Sequence, residues 1–227
     1  RRLVDRVSSL LCCCSKLAVQ NLAHEGITDG VFLTGDIMYD IFLHMKSAFS
    51  SMNMPKKLNI HSKKYIVATF HRNYNVDNQK NLKSILDGLE AIAKSGFEVV
   101  FPVHPRTAKR IKEFNLGSIA PHIHYLSPLG YLELMNLIQN SAFIITDSGG
   151  LQKESYYAGK RAIIIMPDTG WKELIDTGWN VLCPPDSKLL QIAVDTLNIN
   201  LCPPPHIYGD GYSADIIIDT VLSYLNG

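Results

Sequence analysis

From Tyr65 onward the chain alternates short apolar runs with longer stretches of helical periodicity, and that alternation leaves few folds open. Strands are expected at 65–69, 99–103, 124–126, 142–145 and 162–165, with helices at 78–94, 107–114, 130–140 and 151–157 between or after them. In the longest helix Leu82, Ile85, Leu86, Leu89 and Ile92 recur three or four residues apart and share one face. Strands joined through helices build a parallel sheet covered on both sides, so the fold class is α/β. Right-handed crossovers bring every strand-to-helix loop to one edge of that sheet, where ligands bind.

Upstream of this block, a strand at 10–14 lies in an apolar run, 7–14, that reads as buried. A helix at 16–24 closed by Gly26, a strand at 31–34 and a helix at 37–49 follow. The polar stretch 51–64, with Pro55, reads as a linker. Pro203, Pro204 and Pro205 break the chain before a final amphipathic helix at 213–225. No internal repeat is visible.

The chain has 227 residues, 46% of them hydrophobic, enough for a sizeable core. Its 22 basic and 21 acidic residues leave a net charge of +1, so no global field favours nucleic acid or an acidic membrane surface. No apolar run approaches the ~20 residues of a membrane span. The start, Arg1 to Arg6, does not read as a cleavable leader, and without an initiator methionine the sequence reads as part of a longer chain. Cys12, Cys13 and Cys14 are consecutive, and with Cys183 and Cys202 they form neither a disulfide framework nor a zinc spacing. No metal is implied, and a reducing cytoplasm is the simplest location.

The unusual side chains fall in the strand-end loops. Phe70-His71-Arg72-Asn73 follows the first strand of the block, His104-Pro105-Arg106-Thr107 the second and Ser127-Pro128-Leu129 the third. After the fourth strand, Thr146-Asp147-Ser148-Gly149-Gly150-Leu151-Gln152-Lys153-Glu154 opens through two glycines into a helix. Two readings stand for this turn. The first free amides and the positive end of the helix dipole converge there on a point suited to phosphate. Equally, it is an ordinary helix start with Asp147 or Ser148 as the cap. Arg forks around phosphate oxygens and His donates to a departing phosphate, so the loops together imply a diphosphate-bearing ligand.

These motifs, in this order, resemble the UDP-N-acetylglucosamine 2-epimerase family. The likeness runs collinearly through Glu25-Gly26-Ile27, Thr34-Gly35-Asp36, Phe70-His71-Arg72, His104-Pro105-Arg106-Thr107 and Ser127-Pro128-Leu129. It continues through Thr146 to Gln152, Glu173-Leu174, Gly178-Trp179-Asn180 and Tyr208-Gly209-Asp210-Gly211.

The resemblance implies a Rossmann-like parallel-sheet domain of a glycosyltransferase-B-like two-domain fold, with the N-terminal domain largely missing. By that comparison 1–50 are closing elements of the N-terminal domain and 51–64 a linker. Residues 65–205 are the nucleotide-binding domain, and 206–227 a crossover helix.

The implied activity is interconversion of UDP-N-acetylglucosamine and UDP-N-acetylmannosamine by elimination and re-addition of UDP, for polysaccharide biosynthesis. A hydrolysing 2-epimerase, a transferase of the same fold and an inactive UDP-sugar-binding domain are the alternatives. Carried over by position, Ser148, Gly149 and Gly150 bind the diphosphate and Glu154 the ribose. Leu129 and Leu134 line the uracil, and His71 with Arg72 meets the phosphates, His71 as the catalytic residue. His104 and Arg106 match a segment that touches a regulatory nucleotide-sugar in some members; a loop-fixing role is the other reading for His104. No cofactor is implied, and a homodimer is plausible for the family. The sequence departs from the family pattern at Tyr74, in place of a glutamate, and along 166–171, which lacks an arginine and a glutamate. The acid–base residues that move the C2 proton belong to the missing half, so this portion is expected to bind rather than turn over.

Overall fold

The computed structural model describes residues 2–60, 64–197, 201–204 and 206–226, and the chain divides into two compact units. Residues 1–46 with 204–227 form one, and 47–203 form the other. The predicted linker positions 61–63 and the predicted break at Pro205 lie outside the described residues.

In the first unit, α1 (Arg2–Val7) leads to β1 (Leu11–Cys13), α2 (Lys16–His24), β2 (Val31–Leu33) and the start of α3 (Ile37–Ser50). The two strands pair in parallel. The expected strand run from Val7 is corrected here: Val7 ends a helix, and of the three consecutive cysteines only Cys13 is buried. Side chains alternate faces along a strand, so neighbours in the run cannot all point inward.

The motifs Thr34-Gly35-Asp36 and Tyr208-Gly209-Asp210 meet within this unit. Asp36 N donates to Tyr208 O at 2.9 Å, and a Cβ on Gly35 would sit 2.6 Å from Ser213 Oγ. Only glycine tolerates both that approach and the φ of +82° found at Gly35.

The second unit begins with the last turn of α3 and α4 (Met54–Lys57), which falls inside the stretch read as a linker. Asn136 fixes that stretch, accepting from Met54 N at 2.8 Å and donating to Phe49 O at 2.8 Å and Met52 O at 3.0 Å. Then come β3 (Tyr65–Thr69), α5 (Asn73–Val76), α6 (Gln79–Lys94), β4 (Glu98–Pro102), α7 (Pro105–Glu113), β5 (Ile123–Leu126) and α8 (Tyr131–Asn140). β6 (Ile144–Thr146), α9 (Gly149–Tyr157), β7 (Ala162–Ile165), α10 (Lys172–Asp176), β8 (Val181–Cys183) and α11 (Ser187–Thr196) complete it, and α12 (Ser213–Asn226) returns to the first unit.

All strands of the second sheet are parallel, in the order β5-β4-β3-β6-β7-β8. Counted from its first strand this is the order of Rossmann sheets, and it reverses between β3 and β6. Ile66, Ala68, Val99, Phe101, Ile145 and Ile163 on the sheet and Leu82, Leu86 and Leu89 on α6 form one core, each essentially without exposed surface. β3, β6 and β7 are buried along almost their whole length, with Thr69 and Thr146 at the ends of the first two, because helices cover both faces. The loops after β3 and β6 therefore open side by side at the switch point, where such sheets place a ligand.

Candidate functional site

Asp147, fully buried after β6, organises the switch point. Its carboxylate accepts from the backbone N of His71 at 3.0 Å, the backbone N of Arg72 at 3.0 Å and Asn75 Nδ2 at 2.9 Å. Asn75, also buried, donates in addition to Ile165 O at 2.7 Å, so three strand-end loops are tied together. Burying a carboxylate is tolerated only with such a set of donors. The second reading of the turn had Asp147 or Ser148 as helix cap, and Ser148 takes that place: its Oγ accepts from Leu151 N at 3.4 Å.

Helix α9 begins at Gly149, so the two glycines form its first turn rather than a loop before it. Thr146 Oγ1 accepts from Ser148 N at 3.0 Å. Among the described residues, the N–H groups of Gly149 and Gly150 have no acceptor. Beside them lies Arg72, whose Nε donates to Asp147 O at 3.2 Å; a Cβ on Gly149 would come within 3.3 Å of its Nη2. Two open amides, a helix dipole and a guanidinium thus share one spot. Trp171 Nε1 donates to Gly149 O at 2.8 Å and braces the turn from the loop after β7.

A cavity of about 240 Å³ adjoins this turn. His71, His104, Leu129, Leu134, Ser148 and Glu154 line it. Of the ten residues singled out by sequence, these six meet in one space, Gly149 and Gly150 start the helix beside it, and Arg72 stands next to Gly149. Arg106 points elsewhere, since its guanidinium pairs with Asp77, which Arg110 Nε also holds at 2.9 Å. Those two arginines keep the Asp77 carboxyl below its ordinary range. His104 caps α7 by accepting from Arg106 N at 3.2 Å.

The buried Thr107 donates its hydroxyl to Phe70 O and so anchors the loop bearing His71. Asp147, Asn75 and Thr107 were passed over as site-builders by the sequence reading. The signal available was their place in the same short motifs as His71, Arg106 and Ser148.

Burial pushes the His71 imidazole below its ordinary value, and His104, Arg72 and Arg106 add to the lowering while Asp147 opposes it. Nδ1 lies 3.5 Å from Asp147 Oδ1, and the ring lies 5.4 Å from that of His104, tilted by 34°. Burial raises the Glu154 carboxyl, partly offset by the charge of Lys153. The Tyr131 hydroxyl is pushed up to about 12 by burial and by the charge of Glu154. The cavity thus pairs a hydrophobic wall, Leu129 and Leu134, with a carboxyl able to accept from hydroxyls and an imidazole beside the amide turn. Among the described residues no cluster of His, Cys, Asp or Glu has the makings of a metal site.

A family model described as UDP-N-acetylglucosamine 2-epimerase matches residues 1–222. The chain belongs to this family. A UDP-N-acetylglucosamine 2-epimerase homolog of Methanococcus maripaludis is 34% identical over 226 residues, covering 97% of this chain and 62% of its own length. The UDP-2,3-diacetamido-2,3-dideoxy-D-glucuronate 2-epimerase of Pseudomonas aeruginosa is 32% identical, covering 96% and 61%. The crystal structure of Methanocaldococcus jannaschii UDP-GlcNAc 2-epimerase in complex with UDP-GlcNAc and UDP matches with a TM-score of 0.87 at 33% identity, covering 99% of this chain and 63% of that one. The chain therefore spans about three fifths of the length of these members of the 2-epimerase family.

Proposed function

We propose that this chain is the UDP-binding portion of a UDP-N-acetylglucosamine 2-epimerase, interconverting that sugar nucleotide and UDP-N-acetylmannosamine. The C2 proton beside the acetamido group is barely acidic. Such a reaction therefore runs by breaking the C1–O bond to UDP as the C2 proton leaves, which gives an unsaturated glycal. UDP then re-adds at C1 as a proton arrives on the opposite face of C2. The diphosphate leaves with negative charge, and its stabilisation is the main task; preorganised donors are worth ~3–4 kcal/mol each in transition states of this kind.

The amides of Gly149 and Gly150 and the Ser148 hydroxyl take the diphosphate, with Arg72 alongside. His71 donates to the oxygen that departs from C1. Glu154 accepts from the ribose hydroxyls, and Leu129 and Leu134 cover the uracil. We assign His104 and Arg106 to fixing the α7 start, because one caps that helix and the other is engaged by Asp77. The C2 acid–base groups are supplied from outside this sequence, so the 227-residue chain binds UDP without epimerising by itself.

The observation that carries this reading is the pair of open amides at the start of α9, set beside His71 and Arg72 at the switch point. Calorimetry with UDP tests it. Wild type is expected to bind, and Ser148→Ala with Gly149→Ala to lose at least ~10-fold in affinity, or about 1.4 kcal/mol, while keeping its circular dichroism. Unchanged affinity in the double variant would place the diphosphate elsewhere. In the complete enzyme, NMR of the product from UDP-N-acetylglucosamine distinguishes C2 inversion from release of free sugar. The likeness to the diacetamido-glucuronate enzyme makes that nucleotide the comparison substrate.

A further inference from the structure

His71 faces a charge problem that the reading above does not solve. Its Nδ1 side is turned to Asp147 Oδ1, 3.5 Å away. A neutral ring with its proton on that side offers only a lone pair at Nε2, which repels a phosphate oxygen. Donation to a departing diphosphate requires either the other tautomer or a second proton.

The surroundings decide between these. Asp147 is fully buried, and its oxygens already accept from three N–H groups, so it cannot rotate away from His71. A carboxylate fixed in this way selects the Nδ1–H form and stabilises an imidazolium, as an aspartate does beside the histidine of a hydrolytic triad. The same ring meets His104 from the loop after β4, feels the charges of Arg72 from its own loop and of Arg106, whose guanidinium is engaged by Asp77, and shares its cavity with Glu154. The two arginines oppose charging of the ring as the chain stands, and a diphosphate docked beside Arg72 offsets that opposition.

Resting on the UDP-binding reading, we propose that Asp147 is a positioning residue that makes His71 a proton-gated donor. Docking of a nucleotide diphosphate draws one proton from solvent onto Nε2, while Nδ1–H is held by Asp147. The balance is simple: neutral imidazole plus a proton gives imidazolium, and no other bond is made or broken. The lowered affinity of the ring for protons before docking is in accord with this. Elimination then starts with the donor already charged against the oxygen that leaves C1, and the proton is released again when UDP dissociates.

Titration calorimetry of UDP into the 227-residue chain at neutral pH, in two buffers of different ionisation enthalpy, reads the protons taken up. Wild type is expected to take up about one proton per UDP. His71→Gln is expected to bind roughly 10-fold more weakly with no uptake, since its amide donates without titrating. Asp147→Asn keeps the shape and is also expected to lose the uptake.

Because Asp147 also holds the backbone N–H groups of His71 and Arg72, long-range proton–nitrogen NMR on wild type provides a second measurement. It should show Nδ1–H before UDP is added and both nitrogens protonated afterwards. UDP binding without proton uptake, or an Nε2–H tautomer in the bound ring, overturns this inference and leaves the functional reading standing. Absence of any UDP binding by wild type removes both.

Discussion

Thr107, buried at the start of α7, donates its hydroxyl to the carbonyl of Phe70, the residue before His71. Thr107→Val keeps the volume and removes the donor, leaving a carbonyl with nothing in its place. Urea denaturation should show a loss of ~1–3 kcal/mol, the cost of an unpaired buried polar group. An unchanged midpoint would mean that the loop is held without it.

Glu154 gives the opposite kind of prediction. Burial raises its carboxyl, so the folded chain holds that proton more tightly than the unfolded one. Its contribution to stability is complete below the unfolded value and is lost as pH rises through the raised folded value. Glu154→Gln should therefore melt higher than wild type at neutral pH and match it in acid, while UDP affinity falls. A variant that melts lower at neutral pH would contradict the assigned burial cost.

Residue types at this scale were legible in the sequence: His71, Ser148 and Glu154 all line the cavity. Asp147 was legible only as a helix cap, because its true partners, His71 N and Asn75, are brought to it by pairing of β3 with β6. No local pattern encodes that pairing.

Among the elements, those with several turns of periodicity or a run of β-branched residues were readable, as with α2, α6, β3 and β7. One-turn helices such as α5 and α10 are too short to show a period. β8 is three residues long and follows the buried Trp179 and Asn180. α11 was missed although its signal was present, with Asp186 as cap and Leu190, Ala193 and Val194 on one face. It packs on α6 at Gly88, where a Cβ would lie 2.9 Å from Leu190 Cδ2 and 3.2 Å from Ser187 Cα. Gly88→Ala would gain ~1 kcal/mol in an isolated helix. Here we expect a net loss of ~1–3 kcal/mol from overpacking, read by denaturant melts. Stabilisation instead would mean that α11 yields freely.

Taken whole, the molecule places its dense core in residues 47–203, while the unit formed by 1–46 and 204–227 leaves Phe32, Leu33, Ile41, Ile218 and Leu222 exposed. A two-stranded sheet with a thin core opens readily, and a six-stranded sheet covered on both faces does not. Amides of β1 and β2 are therefore expected to exchange with deuterium well before those of β3, β4 and β6. Comparable protection in both would contradict that ranking. The α/β class and the gathering of strand-end loops on one edge followed from the order of apolar runs alone, whereas the strand order β5-β4-β3-β6-β7-β8, and with it the switch point, needed the structure.

The most direct measurement is an amide NMR titration of the chain with UDP. The account predicts saturable shifts concentrated at Ser148, Gly149, Gly150 and Leu151, with His71 and Arg72 following and α11 silent. Shifts confined to the unit of residues 1–46 and 204–227, or spread without saturation, would contradict it.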